Sequence, residues 1–296
     1  MIDYLIGVDG GGTGTRVRIA TLSPDGAAEL AQGTSGPSGL SLGIDRAWAS
    51  VQEAVANAFA AAGIALPPLE RMAIGLGLAG VHNRQWADTF RAADPGYAAL
   101  VLETDAFTTL VGAHGGKPGA IVAIGTGSVG EVLLPDGTRR EVGGWGFPAG
   151  DEASGGWIGL AAINHIEQVL DGRRARSPFA DAVVKACGGD RAAIQVWLGH
   201  ATQTTYATLA PLVLRHADDP AARAILTNAG IEAAAIARAL DPDGTLPLAL
   251  CGGLGTALRD WLPQALAARA RAPEGDSARG ALRMIELHVA SASTAA

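Results

Sequence analysis

The side chains best suited to chemistry lie in a glycine-rich turn close to the N-terminus. Asp9 is followed by three glycines and a threonine, within the run IGVDGGGTGTRVRI of residues 6–19. The apolar residues before the turn and the alternating ones after it predict two strands. Glycines let backbone N–H groups approach phosphate oxygens, and a carboxylate suits the cation that accompanies a nucleotide. The turn therefore predicts a phosphate and metal site, although a hairpin without a ligand would share the pattern.

Two more glycine turns follow apolar runs, GTGS at residues 125–128 and GGLG at residues 252–255. The first of these resembles the N-terminal turn, because each would join the first two strands of a domain. Facing each other across a cleft, the two hairpins could bind the phosphates of one nucleotide. The 252–255 turn would let the base and ribose lie close to backbone.

Asp105 is the best candidate for acid–base chemistry. It follows the apolar run ALVLET of residues 99–104 and precedes a short helical pattern. A carboxylate at the carboxyl end of a strand in an α/β sheet points into the crevice where ligands bind. Capping of the following helix is the alternative role for Asp105, and the two roles are compatible.

The segment GGWGFPAGDEASGGW at residues 143–157 has too many glycines for a core and too many aromatic residues for a linker. The ring of Trp145 could cover the apolar face of a sugar, while nearby carboxylates accept hydrogen bonds from its hydroxyls. The alternative is a helix N-terminus capped by Asp151, with Trp145 filling the edge of a domain.

Other phosphate-binding patterns are interpreted as coincidental. Residues 75–80 and 125–130 both fit GxGxxG, but the second match is followed by a strand pattern where a helix is needed. The first lies in the middle of a domain and lacks the acidic residue expected further on. Lys117 is followed by Pro118 where a P-loop needs Ser or Thr. The six histidines lack ligand spacing, so exposed or capping roles are expected.

The hydrophobic pattern predicts an α/β protein in which one plan occurs twice. Residues 1–114 are expected to follow the order β-β-β-α-β-α-β-α, with a turn at SPDG, residues 23–26. After a glycine-rich linker the same start recurs, as a strand, a glycine turn and two more strands. The expected domains are residues 1–114 and 115–296, or else the C-terminal helix packs back on the first domain.

The second half of the chain is expected to be mainly helical. The pattern predicts long helices from residues 152–170 through 221–240, then one helix over 256–270 and one over 276–287.

Composition limits the classes of partner. The 296 residues carry a formal net charge of −7, which disfavours nucleic-acid and anionic-membrane surfaces. The two cysteines, Cys187 and Cys251, are far apart and offer neither a disulfide framework nor metal-thiolate spacing. There is no apolar run of transmembrane length and no signal-peptide pattern at the start, so a cytoplasmic protein is expected.

In their order along the chain, these motifs resemble those of the N-acetylglucosamine kinases. More broadly, the chain resembles the BadF/BadG/BcrA/BcrD-type ATPases of the actin/Hsp70/sugar-kinase superfamily, over nearly its whole length. The motifs are DGGGT at 9–13, TDA at 104–106, GTGS at 125–128, GGWG at 143–146 with GDE at 150–152, and GG at 252–253. The resemblance implies two ribonuclease-H-like domains flanking an interdomain cleft that closes around Mg-ATP and a sugar.

The resemblance also implies roles for individual residues. Asp9 would help to hold Mg²⁺, and Asp105 would be the general base for the primary hydroxyl of the sugar. The residues implied to contact ATP are Gly11, Gly12, Thr13, Thr15, Gly125, Thr126, Gly127, Ser128, Gly252 and Gly253. The residues implied to contact the sugar are Ser38, Asp105, Gly144, Trp145 and Asp151.

The predicted function is ATP-dependent phosphorylation of an amino sugar, N-acetylglucosamine to N-acetylglucosamine 6-phosphate, by a homodimer as in the family. The alternatives are a glucosamine kinase, an ATPase that drives a partner protein, and a sugar sensor without turnover. Two departures bear on these. The loop GPSGLS at residues 36–41 lacks the asparagine with which animal members touch the sugar. The cysteines do not supply the cluster motif of the dehydratase activators, which sets that activity aside.

Overall fold

A computed structural model describes residues 2–23 and 26–294 of the chain. The chain divides into two compact units, Met1–Pro118 with Pro273–Ala296 and Gly119–Ala272. The turn predicted at residues 23–26 falls on Pro24 and Asp25, which lie outside the described residues.

The first unit contains a five-stranded mixed sheet. Its strands are β1 (Tyr4–Gly10), β2 (Thr15–Ser23), β3 (Gly26–Ser35), β4 (Met72–Leu78) and β5 (Ala99–Thr104). The strand order is β3-β2-β1-β4-β5, in which β1, β2 and β3 pair antiparallel, while β1, β4 and β5 run parallel. Three helices lie between or after these strands, α1 (Ile44–Ala61), α2 (Arg84–Ala92) and α3 (Asp105–His114).

The second unit contains a sheet of the same plan and a larger set of helices. Its strands are β6 (Gly119–Ile124), β7 (Ser128–Leu133), β8 (Arg139–Gly143), β9 (Leu248–Cys251) and β10 (Ala270–Arg271), in the order β10-β9-β6-β7-β8. Its helices are α4 (Gly155–Leu170), α5 (Pro178–Ala186), α6 (Arg191–His200), α7 (Gln203–Ala207), α8 (Ala210–Arg215), α9 (Pro220–Leu240), α10 (Gly255–Leu258) and α11 (Gln264–Arg269).

The two sheets repeat one topology, because three antiparallel strands are followed in each by strands parallel to the first. The predicted α/β fold class, in which one plan occurs twice, is confirmed. In each unit the first parallel pair of strands ends beside a glycine turn, which is the arrangement that brings loops together at one sheet edge.

The last helix, α12 (Ser277–Thr294), belongs to the first unit, where it packs against β1, β4 and α3. The close approach depends on glycines. A side chain on Gly7 of β1 or Gly75 of β4 would collide with the α12 backbone, and one on Gly77 would collide with Thr108 of α3. The glycines of the GxGxxG match at residues 75–80 therefore include two that make room for helices inside the unit.

The prediction of one helix over residues 256–270 is wrong. The segment holds α10, a 3-10 turn at Arg259–Trp261, α11 and the short strand β10. Pro263 explains the break, since a proline lacks a backbone donor and disfavours helical geometry in the residue before it. Leu262 is accordingly extended, with φ −70° and ψ 149°.

Cys187 and Cys251 are both buried in the second unit. Burial raises the pKa of the Cys187 thiol to about 11 and that of Cys251 to about 12. Neither thiol is therefore activated at neutral pH. Within the described ranges, no helix combines the length and the apolar character needed to cross a bilayer.

Candidate active site

Asp9 stands at the sheet edge of the first unit where the parallel strands β1, β4 and β5 end. Asp9 pairs with Gly77 in the ladder, and Gly77 pairs with Glu103, so the three strands end side by side. The Asp9 side chain is 16% exposed, and its Oδ2 accepts hydrogen bonds from the Arg16 guanidinium at 2.7 and 3.1 Å. Because both contacts use one oxygen, the ion pair orients the carboxylate without using its second oxygen.

Asp105 is the first residue of α3 and follows β5 directly. The helix is capped by Thr104, whose hydroxyl accepts a hydrogen bond from the amide of Phe107 at 3.1 Å, so the alternative role of Asp105 as the cap is wrong. Burial raises the pKa of Asp105, the negative charge of Asp9 raises it further, and His82 opposes the shift. A raised pKa makes this carboxylate a stronger proton acceptor.

The first glycine turn exposes backbone N–H groups. The carbonyl of Gly11 accepts hydrogen bonds from the amides of Ser38 and Gly39, both at 3.1 Å. Since a trans peptide directs its N–H opposite to its C=O, the N–H of Gly12 points away from Ser38. Gly12 and Thr13 are exposed, and a Cβ on Gly11 or Gly12 would meet no atom within 4 Å. The outer face of the turn is therefore open to a ligand.

Thr15 and Ser38 lie beneath this turn, at 1% and 0% exposure. The Thr15 hydroxyl donates to the carbonyl of Gly36 at 2.6 Å and lies 2.7 Å from the Ser38 hydroxyl. Because Thr15 has one hydroxyl proton, this proton is shared between two acceptors, the Gly36 carbonyl and the Ser38 hydroxyl. The two hydroxyls thus fasten the loop at residues 36–38 to the turn, and contacts of these hydroxyls with ATP or a sugar stay predictions.

The second glycine turn joins β6 to β7 and lies against the start of α4. The amides of Gly155 and Gly156 donate to the carbonyls of Gly125 at 2.8 Å and Thr126 at 3.1 Å. Both carbonyls therefore face the helix, and the N–H groups of Thr126 and Gly127 point away from it. The hydroxyl of Ser128 is buried and donates to the carbonyl of Glu152 at 2.6 Å, so this turn presents amides rather than that hydroxyl.

The third glycine turn follows β9 and is tied to the second. Gly252 has φ +79°, and a side chain there would collide with the carbonyl of Ile124 at the end of β6. The amide of Leu254 donates to the same carbonyl at 2.9 Å. Gly253 is exposed, and a Cβ on it would meet no atom within 4 Å. Two open glycine turns thus lie together at one edge of the second unit.

Trp145 lies in the loop between β8 and α4, and it is 86% exposed. Its neighbours Gly144 and Gly146 have φ of +70° and +87°, which glycine adopts without steric cost. Gly150 packs under Trp145, since a Cβ on Gly150 would lie 2.8 Å from that of Trp145. The backbone therefore presents a large apolar ring to solvent, an arrangement typical of a binding surface.

Asp151 does not cap α4, because Ser154 does so by accepting a hydrogen bond from the amide of Trp157 at 3.1 Å. The capping interpretation of Asp151 is therefore wrong. Asp151 is 6% exposed with φ +60°, and its carboxylate accepts a hydrogen bond from Gln203 of α7. The carboxylate also lies against Gly127, where a Cβ would be 2.7 Å from Oδ2. Asp151 thus contacts the second glycine turn from inside the unit.

Sequence reasoning missed two residues. Gln203 lies 52 positions after Asp151 in a short helix without a motif, so no sequence signal marks it. His82 was expected to be exposed or capping, and it is exposed, but it also acts electrostatically on Asp105. The strand-end rule that singled out Asp105 could have found His82, because His82 follows β4 as Asp105 follows β5.

The carboxylates of the first unit suit a magnesium ion that keeps water ligands. No group of three or more His, Cys, Asp or Glu side chains with metal-binding geometry occurs among the described residues. Mg²⁺ is commonly held by one or two carboxylates together with water and substrate phosphates, rather than by a cage of side chains. The carboxylate of Asp9, whose second oxygen is not used by Arg16, meets that requirement.

Comparison with known proteins gives concordant relatives. A glucosamine kinase, GspK, of Vibrio cholerae is 32% identical over 284 residues, which is 95% of each chain. An N-acetylmuramic acid/N-acetylglucosamine kinase of Clostridium acetobutylicum is 32% identical over 57% of this chain and 55% of its own length. The solved structure of a candidate N-acetylglucosamine kinase from Chromobacterium violaceum is 55% identical, with a TM-score of 0.93 over 96% of this chain and 99% of that one.

The model of one protein family matches residues 6–261, a range that includes both carboxylates and all three glycine turns. This chain belongs to the BadF/BadG/BcrA/BcrD ATPase family.

Proposed function

We propose that this protein transfers the γ-phosphoryl group of ATP to an amino sugar, converting N-acetylglucosamine to N-acetylglucosamine 6-phosphate. Membership of an ATPase family and the sugar-kinase names of the relatives support the reaction class. The preference for N-acetylglucosamine is supported by the relative at 55% identity, and glucosamine is the alternative because a glucosamine kinase is also a relative.

The observation that carries the proposal is the placement of Asp9 and Asp105 at one sheet edge, at the ends of β1 and β5 on either side of β4, with the pKa of Asp105 raised. Phosphoryl transfer needs positioning and charge neutralisation more than covalent chemistry. Asp105 would accept the proton of the sugar's primary hydroxyl as the hydroxyl attacks the γ-phosphorus. Burial, the largest cause of the raised pKa, makes this carboxylate more basic than a surface aspartate, which favours that role.

Magnesium and nucleotide would be held by separate groups. Asp9 would hold Mg²⁺, directly or through water, and the ion would neutralise charge on the phosphates when bound. The outward amides of Gly12, Thr126 and Gly127, together with the exposed Thr13, would donate to phosphate oxygens. Gly252 and Gly253 would lie against adenosine, where Gly253, whose Cβ would meet no atom within 4 Å, leaves room for a ligand.

The sugar would stack on Trp145, which is exposed and follows Gly144, a glycine with φ +70°. Contact of Asp151 with the sugar stays a prediction, and it requires one carboxylate oxygen to reach the ligand while the other remains with Gln203. A contact of Ser38 likewise requires its backbone, or a movement of its buried hydroxyl. Because the reaction consumes ATP, we place the protein in the cytoplasm, and we propose the homodimer typical of the family.

The test is a coupled assay of ADP release with Mg-ATP and a panel of N-acetylglucosamine, glucosamine, glucose and N-acetylmannosamine, with product mass measured. We expect ADP release stimulated by N-acetylglucosamine and a phosphosugar product. Stimulation by glucosamine alone would show that glucosamine, rather than N-acetylglucosamine, is the substrate. Hydrolysis insensitive to every sugar would favour an ATPase that drives a partner, and sugar binding without turnover would favour a sensor.

A further inference from the structure

The peptide between Thr126 and Gly127 is held from one side by two donors. The amide of Gly156 donates to the carbonyl of Thr126 at 3.1 Å, and the side-chain amide of Gln203 donates to the same carbonyl at 3.2 Å. This peptide is trans, since the one cis bond of the described chain joins Phe147 to Pro148. Its N–H, which belongs to Gly127, therefore points away from α4 and α7.

The orientation of the Gln203 amide is fixed by its partners. Its nitrogen donates to the Asp151 carboxylate as well as to the Thr126 carbonyl, and both partners only accept hydrogen bonds. The two protons of the NH₂ group are thus both used. Asp151 is 6% exposed and its carboxylate lies against Gly127, so the same pair of residues contacts the turn at two successive positions.

Close packing of α7 on α4 brings Gln203 to this place. A Cβ on Gly156 would lie 2.9 Å from Cγ of Gln203, and one on Gly155 would lie 3.0 Å from Cβ of Ala207. A Cβ on Gly159, one turn further along α4, would collide with the carbonyl of Tyr206. The glycines of α4 therefore allow α7 to lie directly on the helix.

The start of α7 is fixed independently of that packing. Thr202 and Thr205 form a capping box, in which each side chain bonds the other residue's backbone amide. The first residue of α7 is Gln203, so the capping box sets the position from which its side chain reaches the turn.

We propose that Gln203 is a positioning residue for phosphate binding: with Asp151 it holds the Thr126–Gly127 peptide so that the Gly127 N–H faces the nucleotide. The inference rests on the proposed function only in taking a nucleotide phosphate as the ligand of this turn. Gln203 itself does not touch the phosphate. Its contribution is to prevent rotation of a glycine-flanked peptide, which would otherwise be costly to order when the ligand binds.

The decisive variants are Gln203→Leu, which removes both donated hydrogen bonds at similar size, and Gln203→Glu, which sets a second carboxylate against Asp151. The matched control is Gln195→Leu, an exposed position on α6. Calorimetry measures the affinity for Mg-ADP, and steady-state kinetics measures KM for ATP and KM for the sugar. The melting temperature is measured without ligand. Direct nucleotide binding keeps the test independent of whether any sugar is phosphorylated.

We expect Gln203→Leu to weaken Mg-ADP binding about tenfold or more and to raise KM for ATP similarly, with a smaller rise in KM for the sugar. The melting temperature should fall as well, because the buried carboxylate of Asp151 loses its Gln203 partner. The Gln203→Glu variant should bind Mg-ADP more weakly still at neutral pH. Its affinity should recover partly in acid, because one carboxyl becomes protonated. Unchanged Mg-ADP affinity in Gln203→Leu would overturn the proposal. So would an equal rise in both KM values, because that result indicates a role in stability alone.

Discussion

The chemistry proposed for Asp105 depends on a single proton-accepting oxygen. Substitution Asp105→Asn keeps the size of the side chain but removes its basicity, so kcat should fall on the order of 10²–10⁴-fold. Affinity for Mg-ADP should stay within a few-fold, because Asp9 and the glycine turns remain. Steady-state kinetics with the best sugar, together with ADP calorimetry, checks both expectations. Turnover close to that of the parent protein would remove Asp105 from the mechanism.

The same substitution should stabilise the fold at neutral pH. The pKa of Asp105 is raised above its ordinary value of 3.8, chiefly by burial, so the folded state binds this proton more tightly than the unfolded chain does. Keeping the carboxylate ionised therefore costs folding free energy above the raised pKa, and this cost disappears as the pH falls below 3.8. Asp105→Asn should unfold at higher temperature than the parent protein near neutral pH, and the advantage should shrink in acid.

A matched substitution separates this effect from a general benefit of losing negative charge. Asp136 lies on an exposed turn, and a backbone hydrogen bond from Thr138 lowers its pKa. Asp136→Asn should therefore give no gain in melting temperature at neutral pH. If both variants gained equally, the raised pKa of Asp105 would not be the cause.

At the residue scale, the sequence predicted side chains that stand at strand ends and failed for those placed by packing. Asp9 and Asp105 follow apolar strands, and the structure puts both at the same sheet edge. Burial of Ser38 and Thr15 could not be predicted, because it depends on how the loop at residues 36–38 closes over the first turn. The contact of Gln203 with Asp151 could not be predicted from the sequence, because the packing of α7 on α4 brings the two residues together.

Among the elements, the contact between α4 and α7 is the one most sensitive to a single methyl group. Gly159→Ala would gain about 1 kcal/mol from helix propensity, but its Cβ would collide with the Tyr206 carbonyl, and such overpacking costs about 1–3 kcal/mol. We expect α7 to move, so that Mg-ADP affinity falls several-fold together with a small loss of thermal stability. Calorimetry and thermal unfolding measure the two effects.

Gly199→Ala provides the control, because Gly199 lies in α6 and a Cβ there would meet no atom within 4 Å. This variant should keep its Mg-ADP affinity and gain stability from helix propensity. Equal Mg-ADP affinity in Gly159→Ala and Gly199→Ala would show that the α4–α7 contact does not influence the nucleotide site.

Element types were largely predictable because the hydrophobic pattern of each strand and helix is local. The start of α4 was placed too early because Asp151 and Ser154 are both good capping residues, and only the backbone decides between them. Asp151 was excluded by its φ of +60°, which no pattern of residue types reveals. The break at Pro263 was visible in the sequence, but the apolar residues on either side kept a helical spacing.

For the whole molecule, the repetition of one topology was predictable, whereas the sequence left open whether the C-terminal helix packs on the first or the second domain. The first unit is discontinuous in sequence. The helix that packs against its sheet, α12, follows the entire second unit. A hydrophobic cluster joins Leu5 of β1 and Ala73 of β4 to Ile285 and Val289 of α12. The stability of the first unit therefore depends on contacts between the two ends of the sequence.

This dependence predicts a local effect of a mutation in α12. Ile285 is 0% exposed in that cluster, so Ile285→Ala should destabilise the first unit by about 2–5 kcal/mol through lost burial and a cavity. Leu287, on the same helix, is 48% exposed, and Leu287→Ala should change stability by no more than about 0.5 kcal/mol. Hydrogen exchange should show reduced protection in peptides of residues 2–118 and 273–294 but not in those of 119–272. An equal loss of protection in both units after Ile285→Ala would mean that they unfold as one, and that the division of the chain into two units does not extend to its stability.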